Sequence, residues 1–438
     1  VRLPPGLSRE DVVAAHRAHV WPPYTSADVH LTRDPLVIVA AEGAWLEDAD
    51  GRRLLDGNAS WWTSTLGHRH PRILAALHAQ LDTLDHVSMG DSTNVAAALL
   101  AKELVAVAPP GLVRVHFSDD GSTAVEVAIK LAQQFWAQNG RPARTRFVSL
   151  GGAFHGDTLG AVSLGGVDAF RRMYGPLLFD VLCAPDPGDE VAGWERLVDT
   201  VEHELARDAD RIAAVVVEPL VQGAAGMRIW SPALLRRLRE ATTRADTLLV
   251  CDEVFTGYGR TGRMWACEHA GITPDLLCTA KGFTAGTLPM AATLATERLW
   301  QGFSGGSSRA LMHGHTFCGH PLGAAVAREV LAIFRDEDVL GGVARKQALI
   351  TAGFARIAAL PGVRRTRTLG MIGAADLGEG GYGGRAGWRV YDEALARGAY
   401  LRPLGDTVYI TPPLTIPDDA LTQLLENLHD AIGAASVR

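Results

Sequence analysis

The run CDEVFTGYGRTGRMWACEHAGITPDLLCTAKGFTAG, Cys251 to Gly286, decides how the rest of the chain is read. An apolar stretch, Thr247–Cys251, ends in the acid pair Asp252–Glu253, and a second, Leu276–Thr279, is followed two residues later by Lys281. Short apolar runs bounded by turn residues read as buried strands, so both charges are expected at strand ends. In open α/β sheets that rim is where ligands sit. Taken alone, an Asp and a Lys most simply form a structural ion pair. Set at strand ends and close in space, they also have the chemistry pyridoxal phosphate requires. A lysine amine forms a Schiff base with the aldehyde, and a carboxylate keeps the pyridine nitrogen protonated so that the ring accepts electrons.

Outward from this run, apolar or β-branched stretches alternate with helical ones: VRVHFS from 113, RFVSL from 146, IAAVVVEP from 212, TLLVCD from 247 and MAATLAT from 290. The alternation predicts an α/β fold, a mostly parallel sheet sandwiched by helices. Residues 1–65 read as an N-terminal arm and part of a small domain, with an amphipathic opening helix and short strands around Leu36–Ala40 and Ala44–Glu47. Residues 66–330 form the large domain. Residues 331–438, with a long first helix, strands at MIGAADL and TVYITPP and a closing helix, form the C-terminal small domain. The Gly-rich stretch 378–387 reads as a mobile loop.

Composition narrows the class. A chain of 438 residues exceeds one core, since single cores stop growing near ~250–300 residues. With 47% hydrophobic and 21% charged residues it is globular, and a net charge of −7 without a like-charge block favours neither nucleic acid nor an anionic membrane as partner. The cysteines at 183, 251, 267, 278 and 318 show no C-x-x-C spacing and read as reduced thiols, not zinc ligands. The first residues lack a basic-then-apolar signal, and no apolar run reaches the ~18 residues of a membrane span. The expected location is the cytoplasm.

Two further stretches carry site chemistry. In SDDGSTAVEVAIK, 118–130, a strand gives way at Gly121–Ser122 to a helix whose first amides and dipole suit a phosphate dianion. Ser122 is alternatively an ordinary N-cap. In MHGHTFCGHPLGAAVA, 312–327, His313, His315 and His320 have a metal-like spacing, but no carboxylate or cysteine arrangement completes it, so no metal is expected.

DEVFTGYGRTG followed by PDLLCTAKGFTAG resembles the signature of the class III (omega-type) pyridoxal-phosphate aminotransferases, and the resemblance extends over nearly the whole chain. It implies a fold-type I transferase with a seven-stranded sheet and a small α/β domain built from both termini, binding pyridoxal 5′-phosphate. Lys281 is then the Schiff-base residue and proton shuttle, Asp252 the pyridinium partner, and Gly121 and Ser122 the phosphate cradle. Asp120 stands where a small residue is common, and its carboxylate is expected to point away from that phosphate. Phe154 in GGAFHGDTLG, 151–160, takes the place of the family's ring-stacking tyrosine, beside His155, to which no proton transfer is assigned. Glu218 in VVVEPLVQGAAGM, 215–227, supports the site together with Gln222. The resemblance also implies a homodimer in which the 312–320 loop crosses the interface. Thr316 would reach the partner's cofactor phosphate, and Gly314 and His315 its substrate.

Within the family, HVWPPYTS around Tyr24, ASWWTSTLGHRHP around Trp61 and Trp62, and LRPLGDTVYITPP around Arg402 resemble the biotin-pathway branch, which moves an amino group from S-adenosylmethionine to 8-amino-7-oxononanoate. There Tyr24, Trp61 and Trp62 line the substrate side with Phe154 and Lys281, and Arg402 takes the substrate carboxylate. The chemistry is coherent: an arginine fork suits a distant carboxylate, and about five buried methylenes contribute roughly 4 kcal/mol of gross affinity. Aromatic faces attract a sulfonium cation by ~0.5–2 kcal/mol. The chain departs from that branch at Phe255, His315, Cys318 and His320. Two alternatives remain: a class III enzyme using a diamine, lysine or omega-amino acid, and a non-catalytic module that binds a phosphorylated ligand at Gly121–Ser122.

Overall fold

The computed structural model describes residues 3–188, 191–378 and 384–436; positions 379–383 of the Gly-rich stretch lie outside the described residues. Its centre is a seven-stranded sheet in the order Leu112–Ser118, Ala291–Thr296, Leu276–Thr279, Leu248–Asp252, Ile212–Val217, Arg146–Ser149, Val181–Cys183. Every residue of Ile212–Val217 and Leu248–Asp252 is buried, as befits central strands covered on both faces. Alternate side chains serve opposite layers. Leu249 and Cys251 enter one hydrophobic core, Leu248 and Val250 the other. The helix Gly121–Gln138 supplies the second core with Ala124, Val125, Ala128, Ala132, Phe135 and Trp136.

The expected strands all form, and the sheet is parallel except at one place. Ala291–Thr296 runs antiparallel to both its neighbours. A parallel return needs a crossover of a dozen or more residues, commonly a helix, and between Thr279 and Ala291 the chain makes only the short 3-10 turn Lys281–Thr284. The edge strand Val181–Cys183 was not expected, because three residues give no period to read.

Both chain ends meet in a second sheet. Ile38–Glu42, Trp45–Asp48 and Arg53–Asp56 form an antiparallel set to which Ala399–Tyr400 adds in parallel. A third sheet joins Val363–Leu369, Ile372–Leu377 and Thr407–Ile410. Position 330, read as the end of the large domain, lies inside the helix Pro321–Asp336. Among the described residues no helix is long and apolar enough to cross a membrane.

Candidate active site

Lys281 follows the Leu276–Thr279 strand in a left-handed backbone conformation, φ 49°. The next residue must be glycine, because a Cβ at Gly282 would lie 2.8 Å from the Tyr258 Cβ. This turn brings Lys281 into a cavity of ≈ 580 Å³, with Nζ 4.7 Å from the Trp62 ring centroid. Burial lowers the Lys281 pKa, opposed by the charges of Asp252 and Glu218. The lowered value keeps more of the amine neutral, the form that acts as nucleophile and base.

Asp252 ends its strand opposite Cys278 and lines the same cavity. Its partner is a histidine: Oδ2 lies 2.8 Å from His155 Nδ1, while Oδ1 accepts the Val254 N–H at 3.0 Å. The simple Asp252–Lys281 ion pair is therefore not what holds the carboxylate. Burial alone lowers the His155 pKa, but the Asp252 bond and the charges of Asp252 and Glu218 outweigh it and raise the value. Beside them, Glu218 accepts N–H bonds from Phe154 at 2.9 Å and Gly223 at 3.0 Å. Burial pushes its carboxyl up to about 7, against the His155 charge. Gln222 donates to the Gly151 carbonyl at 2.9 Å, fixing the start of the Phe154 loop.

At the head of Gly121–Gln138 the N-cap is Asp120, whose carboxylate accepts the Thr123 N–H at 2.9 Å. Its charge is thus turned onto the helix's own amide, as a carboxylate beside a phosphate site should be. Ser122 is not the cap; its hydroxyl accepts the Asp157 N–H at 2.9 Å. As at any helix start, the Gly121 and Ser122 amides have no acceptor four residues back. Two glycines shape this cradle: a Cβ at Gly121 would meet Val254 Cγ1 at 2.6 Å, and one at Gly156 would meet Ser122 Oγ at 1.9 Å. These features fit pyridoxal phosphate, with helix amides for the dianion, a buried carboxylate for the ring nitrogen and an amine for the aldehyde.

The opposite wall is aromatic. Ala59, Ser60, Trp61 and Trp62 have φ of 44°, 45°, 66° and 73°, a left-handed turn of four non-glycine residues. It turns Trp62 inward, against Phe255 at 4.5 Å with Nε1 donating to the Tyr409 hydroxyl at 3.1 Å. Trp61 points to the cavity mouth, where the Arg402 guanidinium sits 4.2 Å from its ring centroid. Tyr24 packs edge-on against Trp61, centroids 5.6 Å apart, and donates its hydroxyl to the Asp157 carboxylate. Sequence reasoning missed Asp157 and Phe170. The Phe170 ring lies 5.0 Å from Phe154 and 5.6 Å from Tyr24, bracing both. No local pattern marks them, since each acts only through residues distant in the chain.

Gly314 and Thr316 are exposed and do not line this cavity. His315 bonds Asp119, a lining residue, at 2.8 Å. His313 meets Lys130 at 3.0 Å and packs edge-on against His315 at 5.0 Å, while His320 stacks on His86 at 5.4 Å. Among the described residues no group of three or more His, Cys, Asp or Glu side chains is placed to hold a metal.

A lysine and a histidine-anchored aspartate at the rim of such a sheet, with a glycine-lined helix start beside them, define a fold-type I α/β transferase. More narrowly, the chain belongs to the class III aminotransferases, since residues 26–432 match the family described as aminotransferase class-III. It is 42% identical over 435 residues to adenosylmethionine-8-amino-7-oxononanoate aminotransferase of Geobacter sulfurreducens, covering 95% of this chain and 96% of that one. The crystal structure of the protein of that name from Methanocaldococcus jannaschii superposes with a TM-score of 0.93 at 33% identity, over 98% of this chain and 99% of that one. An amine transaminase from an uncultivated Pseudomonas species, solved in its PLP-bound form, gives a TM-score of 0.90 at 34% identity, over 95% and 99%.

Proposed function

We propose that this chain is a pyridoxal-phosphate aminotransferase that takes the amino group of S-adenosylmethionine and delivers it to 8-amino-7-oxononanoate, giving 7,8-diaminononanoate for biotin synthesis. The observation that carries the reading is the joint presence, around one cavity, of Lys281, Asp252 on His155, and the aromatic wall Tyr24–Trp61–Trp62 capped by Arg402. Relatives bearing that enzyme's name support the substrate assignment.

When bound, the cofactor supplies an aldehyde and an electron-accepting ring. Gly121 and Ser122 hold its phosphate, Phe154 covers one ring face, and Glu218 fixes the Phe154 amide. Asp252, anchored by His155, would present its carboxylate to the ring nitrogen, a charge-assisted contact of the stronger kind. Lys281 Nζ removes the proton from the amine-bearing carbon of the donor and gives it back on the acceptor, its lowered pKa suiting both tasks. Arg402 takes the acceptor's carboxylate and Trp62 closes the apolar channel.

The working unit is a homodimer. Met312 and Phe317, 87% and 54% exposed, flank Thr316 on a loop that leaves its own cavity, as expected of a segment that completes a partner's site. The location is the cytoplasm.

A donor half-reaction tests the reading. S-adenosylmethionine should bleach the cofactor's visible absorbance in the wild-type enzyme, while Lys281→Ala should show no turnover and, unlike the wild type, retain no covalently bound cofactor after borohydride reduction. Bleaching by putrescine or β-alanine alone would assign the chain to the amine-transaminase branch, which the Pseudomonas neighbour represents.

A further inference from the structure

Arg402, proposed to take the acceptor's carboxylate, has its backbone fixed by a buried asparagine. Its guanidinium rests on ring faces, 4.2 Å from the Trp61 centroid and 6.0 Å from that of Tyr24. Ring faces attract a cation without the directional grip of a hydrogen bond, so the place of the guanidinium along the channel depends on where its backbone is held. On one side Pro403 follows and keeps Arg402 extended. On the other, the Arg402 N–H donates to Asn58 Oδ1. Asn58 is buried, and its Nδ2 donates to the Tyr409 carbonyl at 3.2 Å. Its own carbonyl accepts the Trp62 N–H at 2.8 Å, and Trp62 Nε1 returns to the Tyr409 hydroxyl at 3.1 Å. The neighbouring backbone is equally tight. Gly57 donates to the Tyr400 carbonyl at 3.0 Å, and a Cβ at Gly57 would stand 2.3 Å from Leu401 Cδ2. One side chain thus ties Arg402, the strand Thr407–Ile410 and the turn that carries Trp61 and Trp62.

We infer that Asn58 sets the acceptor chain length the enzyme selects, as a positioning residue that holds Arg402 at one separation from Lys281; the inference rests on Arg402 being the carboxylate's partner. The acceptor is gripped at two points, its reacting carbon at Lys281 and its carboxylate at Arg402. Guanidinium–carboxylate bonds weaken steeply away from good distance and angle. A chain one methylene short falls out of reach, and one a methylene long must buckle inside the apolar channel. A freely placed arginine would follow either chain with its own rotatable bonds. Arg402 follows neither well, because its N–H is anchored, a proline succeeds it and its head lies on two rings. The anchor needs an asparagine's chemistry: one planar group carrying both a donor and an acceptor, here both used. Aspartate keeps the acceptor that Arg402 needs, whereas serine is too short to reach it.

The acceptor half-reaction tests this, run from the aminated holoenzyme with 8-amino-7-oxononanoate and with its homologues one methylene shorter and one longer. The wild type should prefer the middle length by about tenfold or more in kcat/KM, the usual discrimination for one methylene. In Asn58→Ser the three lengths should come within about threefold of one another, because the middle length loses its well-placed charged bond while the others gain a movable one. Asn58→Asp should restore most of the wild-type preference. A merely structural role would lower kcat/KM by the same factor at every length, and that result would overturn the inference, as would an Asn58→Asp preference as flat as that of Asn58→Ser. The wild-type series decides even if Asn58→Ser folds poorly, since an active wild type that uses the three lengths equally has no ruler for Asn58 to set. A wild type inactive on all three lengths would instead overturn the proposed function, and this inference with it.

Discussion

Gly156→Ala, set against Gly140→Ala, should separate cofactor binding from folding. Gly156 has φ +126°, and an added Cβ would stand 1.9 Å from Ser122 Oγ and 2.8 Å from Ser122 Cα, so Ser122 must move. Holding a non-glycine residue in that region costs about 1–3 kcal/mol. Displacing Ser122 forfeits its 2.9 Å bond from the Asp157 amide, about 0.5–1.5 kcal/mol net. The strain falls on folding with or without cofactor, whereas the displaced Ser122 belongs to the phosphate cradle, so cofactor affinity should weaken by about two- to tenfold. Gly140→Ala is the control: φ there is +81°, and no heavy atom lies within 4 Å of an added Cβ. Cofactor-free protein would be titrated with pyridoxal phosphate by absorbance, and Tm measured with and without cofactor. Gly140→Ala should lower both Tm values alike, while Gly156→Ala should in addition lose part of the rise that cofactor produces. Wild-type affinity in Gly156→Ala would refute the placement of the phosphate at Ser122.

Three further outcomes follow from the same geometry. Arg402→Ala should raise the KM for 8-amino-7-oxononanoate by about ten- to a hundredfold, the value of a charged hydrogen bond, and leave an acceptor without a distal carboxylate unaffected; equal effects on both acceptors would remove Arg402 from that role. Glu218 is raised by burial from 4.5 to about 7, so the folded protein keeps a proton that the unfolded chain releases. That contribution to stability is complete below about 4.5 and disappears as pH rises through about 7. Cofactor-free Glu218→Gln should therefore show a shallower fall of Tm across this window than wild type, not a flat one, because Glu253 is raised to about 7 by the same cause; an unaltered slope would count against a buried, protonated Glu218. Phe317→Asp should shift the sedimentation of the protein from dimer to monomer, and a variant that remains dimeric would place the interface elsewhere.

Much of the centre was legible because strand ends are written locally. The runs before Asp252 and Lys281 are apolar for four or five residues and then stop at a charge, a pattern that two-sided burial demands. The helix start at Gly121 was readable for the same reason, whereas the Phe154 loop was read only through its resemblance to the class III aminotransferases. What sequence did not reveal depends on pairing across space. His155 in isolation is one more loop histidine; it becomes the anchor of Asp252 only because Arg146–Ser149 and Leu248–Asp252 flank the same strand, Ile212–Val217, bringing their ends together. The reversed strand Ala291–Thr296 depends on the shortness of the connection before it.

The left-handed turn Ala59–Trp62 shows why part of the substrate wall lies beyond any propensity argument. Nothing in ASWW announces it, since the segment holds no glycine or asparagine, and each such residue costs roughly 1–2 kcal/mol against the right-handed alternative. The conformation persists because its surroundings over-determine it. Ser60 Oγ and His68 Nε2 both bond the same Asp56 oxygen at 2.8 Å, the Trp62 amide returns to the Asn58 carbonyl at 2.8 Å, and the Trp62 ring is packed to 5% exposure with its N–H on Tyr409. A large buried ring is worth about 3–5 kcal/mol, which together with these hydrogen bonds offsets the roughly 4–8 kcal/mol of strain in four such residues. A right-handed turn through the same residues would redirect both indoles. Trp62 would leave the Lys281 amine and Trp61 would leave Arg402, so the strain is the condition for one wall to serve both the reacting carbon and the far end of the substrate.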